Sequence, residues 1–292
     1  FGLALALGTL NAAASGTVNL WTNARGNLLW STPINWSNNV AASSTNLAQF
    51  DSGTGATNGF GLVNNIVDVN TTVQGLLYQP LVPAYHPPLI NPGVTLRVID
   101  PSASGEIFGV RPGTGPNTVL SQVAMRGAGR LVVGDTNNPA TTAGAVFMRV
   151  NVPSTTAGPY WATLDMSGLD YFACAPSEIR VGATGSSAGT QGTWIMAKTN
   201  LVIVGSTTAA SGGYVGFTIG HTSATADYPS AGDVQLGQDN VLRLYSLRGG
   251  SLRATNISLG GPGGGIGGAS WAGAGGTMEF RSGLVNPTLT MR

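Results

Sequence analysis

The sequence predicts an all-β fold, a β-solenoid, on three observations. First, a two-part phrase recurs from Thr163 to Arg292: an apolar-x-apolar strand, a short polar turn, then more apolar residues. Examples are Trp194-Ile195-Met196 through Thr199-Asn200 to Leu201-Val202-Ile203, and Val234-Gln235-Leu236 through Asp239-Asn240 to Val241-Leu242. Second, short strands ending in glycine (Leu131 to Gly134, Ile179 to Gly182, Phe217 to Gly220, Ile257 to Gly260) bring those glycines round 48, 38 and 40 residues apart. Self-similarity at a nearly fixed period is how a solenoid looks in sequence. Third, 44 glycines and 16 prolines punctuate short apolar runs that carry no helical period, the pattern of many strands between tight turns. A period with two strand clusters fits about two coils of roughly 20 residues each.

Residues 1–15 form an apolar N-terminal segment. Phe1 to Gly8 is too short to span a bilayer as a helix and runs into Ala12-Ala13-Ala14-Ser15, small residues that signal peptidase accepts. Two readings stand side by side: a signal remnant, or an assembly strand, with Leu3, Leu5 and Leu7 alternating, that adds to an open sheet edge.

Residues 16–98 are a Trp-rich, irregular N-terminal β section without the repeat phrase. Its landmarks are Asn19-Leu20-Trp21, Leu28-Leu29-Trp30, Asn35-Trp36-Ser37, Ala48-Gln49-Phe50-Asp51, Val67-Asp68-Val69-Asn70 and Val73-Gln74-Gly75-Leu76-Leu77-Tyr78. This succession resembles the opening of the autotransporter-associated β-strand repeat proteins, long exported bacterial surface proteins. Later phrases are similar to repeats of the same kind: Leu164-Asp165-Met166-Ser167-Gly168-Leu169-Asp170-Tyr171-Phe172, Ala197-Lys198-Thr199-Asn200, Leu236-Gly237-Gln238-Asp239-Asn240 and Phe280-Arg281-Ser282-Gly283-Leu284-Val285-Asn286-Pro287. The resemblance implies a right-handed parallel β-helix, exported, with a structural or adhesive role. It transfers no catalytic residue.

Within that section, 79–92 reads as loop, because Pro80, Pro83, Pro87, Pro88 and Pro92 withhold backbone donors from a ladder. His86 lies there and reads as a solvent-exposed loop histidine, a poor metal site on its own. Residues 99–292 read as β-solenoid repeats. Strands are expected at 94–99, 106–110, 119–125, 129–133 and 146–152, before the repeats proper begin at Thr163. The lone Cys174, between Ala173 and Ala175, reads as a buried structural thiol. The glycine-rich run Gly261 to Gly276 lacks the Lys-Ser/Thr of a phosphate-binding loop and opens no helix, so it reads as a lateral loop.

Composition narrows the partners. Charged residues make up 9% of the chain and the net charge is +1. The arginines are scattered (Arg97, Arg126, Arg149, Arg180, Arg243, Arg281), with no basic stripe for a phosphate backbone, so nucleic acid is not expected. No transmembrane span, cofactor or metal is expected either. A surface kept soluble by Ser, Thr, Asn and Gly points to an extracellular or cell-surface location.

Carboxylates are sparse. Asp165 and Asp170 flank the turn Ser167-Gly168, where aspartate commonly bonds its own backbone, and Asp227, His221 and Asp233 form the next cluster, read as exposed turn residues. Neither is assigned as catalytic, although glycoside hydrolysis by two carboxyls about 5 to 9.5 Å apart stays a competing hypothesis. Asn200 and Asn240 hold the same place in successive phrases and are expected either to stack as an amide ladder that holds the bend or to be surface turn residues. Asn35, Asn70 and Asn256 open glycan-acceptor sequons. Trp21, Trp30 and Trp36 are expected in the core, the competing role being an exposed row that binds glycans.

The function expected from these readings is a non-enzymatic extracellular or cell-surface structural protein. Its apolar N-terminal segment and strand-like end at Thr288 to Arg292 show no polar cap. Head-to-tail self-association into a fibre or adhesive layer is therefore expected, with surface glycans as a further partner and a polysaccharide-degrading or glycan-binding protein as the alternative.

Overall fold

The computed structural model describes 17–51, 62–80, 83–99, 105–111, 120–137, 146–150, 160–176, 178–181 and 190–204, and beyond these, as backbone strands, 217–219, 231–235, 250–254, 257–259, 276–277 and 287–291. The strands are β1 (Thr17–Leu20), β2 (Asn46–Phe50), β3 (Asn65–Val67), β4 (Thr71–Val73), β5 (Gly75–Tyr78), β6 (Ala84–His86), β7 (Pro88–Ile90) and β8 (Thr95–Val98). There follow β9 (Gly105–Val110), β10 (Leu120–Val133), β11 (Val146–Val150), β12 (Tyr160–Cys174), β13 (Glu178–Val181), β14 (Thr190–Ile195) and β15 (Thr199–Val204). Last come β16 (Phe217–Ile219), β17 (Ala231–Gln235), β18 (Gly250–Ala254), β19 (Ile257–Leu259), β20 (Gly276–Thr277) and β21 (Pro287–Met291). Among the described residues the one helical element is a 3₁₀ turn at Pro33–Asn35, opened by proline. The chain is all-β, and every named strand pairing is parallel.

Two sheets carry these pairings. The eight-stranded sheet runs β1-β2-β5-β9-β11-β13-β16-β19, and a 13-stranded sheet is built around the long strands β10 and β12. Each long strand spans two pairing regions. The first half of β12 pairs with β10 and β14, its second half with β10 and β15. Parallel partners need a crossover between them. In the eight-stranded sheet those partners lie from 28 residues apart (Leu47 to Gly75) to 41 (Gly105 to Val146). One whole period of the sequence phrase thus separates neighbours, where two coils of about 20 residues were expected, because each pass visits the eight-stranded sheet once and the larger sheet twice.

Register explains the composition of the strands. Since side chains alternate faces, one ladder of the eight-stranded sheet reads Ala48, Leu76, Phe108, Met148, Ile179, Phe217, Ile257, and the ladder two residues on reads Phe50, Tyr78, Val110, Val150, Val181, Ile219, Leu259. In the larger sheet Val73, Val98, Val133, Cys174 and Val202 stack likewise. The described members of these ladders are buried and belong to one apolar cluster that runs from Trp21 to Val202. Burying a Val, Leu, Ile or Phe side chain stabilises by about 1.5–3 kcal/mol, so each pass supports the next. Pairing continues across residue 98 without a break, through β5 to β9 and β8 to β10.

Two sequence expectations change here. The glycine-ended strands are not all equivalent: Ile179, Phe217 and Ile257 are register partners, but Leu131 to Val133 sits in the other sheet, and Met148 takes the position before Ile179. Residues 79–92 are not simply loop either, since they contain β6 and β7. Pro88 is the first residue of β7 and Pro87 lies between the strands, positions where a missing donor is tolerated.

The corner joining the two halves of β10 carries matched irregularities. Ala124 pairs with Asp165 and Arg130 with Tyr171; between them Arg126 faces Gly168 and Gly127 faces Leu169, with a register shift on either side. Gly127 is required there. Its φ is +110°, and a Cβ would lie 2.1 Å from the Ile90 carbonyl oxygen.

Candidate functional site

Polar groups are rare inside this molecule, so the place where they gather stands out. It lies at the 17–98 end, beneath an aromatic cluster centred on Phe50. Trp21, Trp30 and Trp36 sit around that ring with centroids 6.0, 5.7 and 6.0 Å away, Tyr78 stacks on it at 4.7 Å and His86 meets it edge-on at 5.5 Å. The three tryptophans are buried. They form core, as expected, and are not an exposed row for stacking sugars.

A hydrogen-bond relay threads this cluster. The Trp30 indole Nε1 donates to Asn65 Oδ1 (2.8 Å), Asn65 Nδ2 donates to Asn64 Oδ1 (2.7 Å), Asn64 Nδ2 reaches His86 Nδ1 (3.2 Å), and His86 Nε2 reaches the Asp51 carbonyl oxygen (2.9 Å). Every direction is forced. An indole only donates and a carbonyl only accepts, so both ends demand the same imidazole: neutral, with its proton on Nε2. His86 is 1% exposed, which corrects the expectation of a solvent-exposed loop histidine: β6 places it inward, above Val123 of β10. Burial outweighs the Asp51 hydrogen bond and charge and lowers its pKa to about 4. Burial also raises the neighbouring phenols of Tyr78 and Tyr85.

Trp36 Nε1 donates to the Trp30 carbonyl oxygen (2.9 Å), tying a second indole to the first. Asn35, fully buried, holds the turn between them: its Oδ1 accepts from Arg25 N, and its Nδ2 donates to Asn27 Oδ1 and Leu29 O. The amide that its sequon would offer to a glycan is thus occupied. Asn70, by contrast, is exposed and uses Oδ1 to accept from Thr95 N. Asn256 lies outside the described residues.

The free edge of β1 is closed by its own chain. Leu20 N donates to Ser37 Oγ, Ser37 N donates to Leu20 O, and Asn38 Nδ2 donates to Val18 O, so this edge presents no open ladder to a partner. Beside the cluster an open cleft of about 350 Å³ is lined by Trp30, Ser31, Ser43, Asn70 and Thr72 among others, all of them uncharged.

Five of the described carboxylates have structural tasks. Asp68 accepts from Ser31 N and Oγ, Asp135 from Asn137 N, and Asp165 from Ser167 N, the local turn bond expected of it. Asp170 departs from the expected turn role and pairs with Lys198 Nζ at 2.6 Å. Glu106, buried, pairs with Arg111 at 2.9 Å and lies 3.8 Å from Arg149. Gly109 makes room for it, since a Cβ there would sit 2.0 Å from Glu106 Oε1. Of the second sequence cluster, Asp227 and His221 lie outside the described residues, and Asp233 takes a register position on β17 between Thr193 and Thr277. Among the described residues no three His, Cys, Asp or Glu side chains converge as a metal site, and no helix is long and apolar enough to cross a membrane.

Asn200 is 2% exposed, and its amide bonds Ala197 on both sides, accepting from N (3.0 Å) and donating to O (2.7 Å). It holds the bend through the backbone. Asn240 lies outside the described residues; the register partners of Asn200 are Phe172 and Gly250. Cys174 is buried as expected. The residues that sequence reading missed are Asn64 and Asn65; adjacent asparagines at the head of an apolar strand were the one available signal.

Comparison of the chain with protein-family models, with curated proteins and with solved structures gives no significant match.

Proposed function

We propose that this chain is a non-enzymatic structural protein of a cell surface or extracellular layer, exported, and wound as a right-handed parallel β-helix. The observation that carries the reading is the run of apolar register ladders, which pass through successive strands with one core and leave Asp68, Asp135, Asp165, Asp170 and Glu106 bonded to backbone, hydroxyl or basic groups. Parallel crossovers are right-handed in about 98% of cases, which supports the handedness. The sequence resemblance to autotransporter-associated β-strand repeat proteins and the scarcity of charge support the location. A stacked backbone of this kind serves as the product itself, a spacer or layer element.

Self-association into a fibre or adhesive layer belongs to the same proposal. With the β1 edge covered by Ser37 and Asn38, the contact uses some surface other than that ladder. Electron microscopy of the purified chain is expected to show rods or fibres. Compact round particles, monomeric by light scattering at every concentration, would overturn the reading.

One observation favours a second reading, glycan binding: the cleft beside Trp30 presents hydroxyls and an amide at a size suited to a sugar ring. Glycan-array binding lost on Thr72→Trp, which fills the cleft, would support it.

A further inference from the structure

The relay from Trp30 to His86 does more than fill hydrogen bonds, because it has a direction that cannot be reversed. We propose that Trp30, Asn65, Asn64 and His86 form an acid-operated latch: a second proton on His86 breaks the relay and releases the Trp30 indole from Asn65, while the backbone bonds from Trp30 N to Ile66 O and from Ile66 N to Leu28 O stay in place. The chemistry follows from the donors. Protonated imidazole donates from both nitrogens, so Nδ1–H would face the Asn64 Nδ2 donor 3.2 Å away. Turning the Asn64 amide end for end offers Oδ1 to the imidazole but sets Nδ2 against Asn65 Nδ2 and an oxygen toward the Tyr85 carbonyl, 3.4 Å from the present Nδ2. Turning Asn65 as well carries the mismatch to the Trp30 indole, which has no acceptor to give. The conflict therefore ends on Trp30, whose carbonyl oxygen also holds Trp36.

The surroundings of His86 give the charge little relief. Asp51 supplies a carbonyl contact and, among the described residues, the carboxylate charge that acts on the imidazole. From β2 and β5 it meets the rings of Phe50 and Tyr78, and its register partner on β10 is Val123. Its neighbour on β6, the Tyr85 phenol, is acted on by Arg126 and Asp165. Burial accordingly holds the imidazole neutral until the solution is distinctly acid.

The experiment uses the full chain with His221→Gln, which leaves His86 as the one histidine. Long-range nitrogen–proton NMR is expected to show the Nε2–H tautomer at neutral pH and titration near pH 4, together with a red shift of tryptophan emission at the same midpoint. Adding Asn64→Asp places a carboxylate that accepts from both His86 Nδ1–H and Asn65. In that variant the imidazole is expected to titrate at least two pH units higher, with tryptophan emission unchanged through the transition. An Nδ1–H tautomer, titration near 6.5 in the parent, or acid-induced emission change that does not track the imidazole would overturn the proposal. The tautomer and midpoint are read on the parent alone, so failure of the double variant to fold does not shield it, and neither depends on whether the chain forms fibres.

Discussion

Two regions of the described chain stack their strands by different means. Between residues 17 and 98 the strands are three to five residues long, too short for backbone ladders alone to specify register. There the passes are tied by side chains: Asn35 pins a turn, Asp68 receives Ser31, Asn70 receives Thr95 N, and the relay links Trp30 to His86 across 56 positions of sequence (30 to 86). Between 120 and 174 the strands β10 and β12 run 14 and 15 residues, and their long parallel ladder with Leu131, Phe172, Cys174 and other apolar residues beneath it does the same task. The same stacking can thus be specified by a few directional polar bonds or by many weak, repeated contacts, and the two should fail differently.

Removing a large core ring tests what the two regions share. Phe50→Ala and Phe172→Ala are each expected to cost about 3–5 kcal/mol in chemical denaturation, with Phe50→Ala at the upper end because five aromatic rings lose their common neighbour. Acid separates the regions next. His86 has a folded-state pKa of about 4 against an ordinary 6.5, so the unfolded chain binds the proton first. Its contribution is fully present above pH 6.5, falls by about 3 kcal/mol as the pH drops from 6.5 to 4, and changes little below that. Hydrogen exchange across this window is expected to rise at 62–90 while the amides of 120–133 and 162–174 keep their protection. Smaller again is Trp30→Phe, which keeps most of the ring but orphans Asn65 Oδ1; a loss of about 2 kcal/mol is expected, together with flattening of the pH dependence. Lys198→Ala, which breaks a partly exposed ion pair with Asp170, is expected to change stability by less than about 1 kcal/mol.

The all-β character and most strands after residue 94 were legible because apolar alternation and glycine punctuation act locally. Expected strands at 106–110 and 146–152 lie within a residue or two of β9 and β11. The three tryptophans and Cys174 were legible as core for the same reason. His86 was not. Five prolines around it pointed to a loop, and its burial depends on Asn64, Asn65 and Asp51, which only the folded register brings together. Asn200 was half legible: the phrase marked it as a bend residue, but its double bond to the Ala197 backbone and its stacking on Gly250 come only with the folded register.

The corner between the two halves of β10 and β12 has a consequence for how this chain tolerates change in length. Ala124 to Arg130 and Asp165 to Tyr171 each span six residues, and Ile195 to Thr199 spans four. The number changes only by an even step, while separations between stacked strands elsewhere vary by more than ten residues. An even change keeps each side chain on its face; an odd one inverts every residue downstream in that strand. Insertions between strands are thus expected to leave the sheet in register, but one residue gained or lost between 124 and 130, unless matched by a compensating shift like the pair already present there, acts as a frameshift written in three dimensions, turning Leu131 and Val133 outward without altering a single amino acid after the corner.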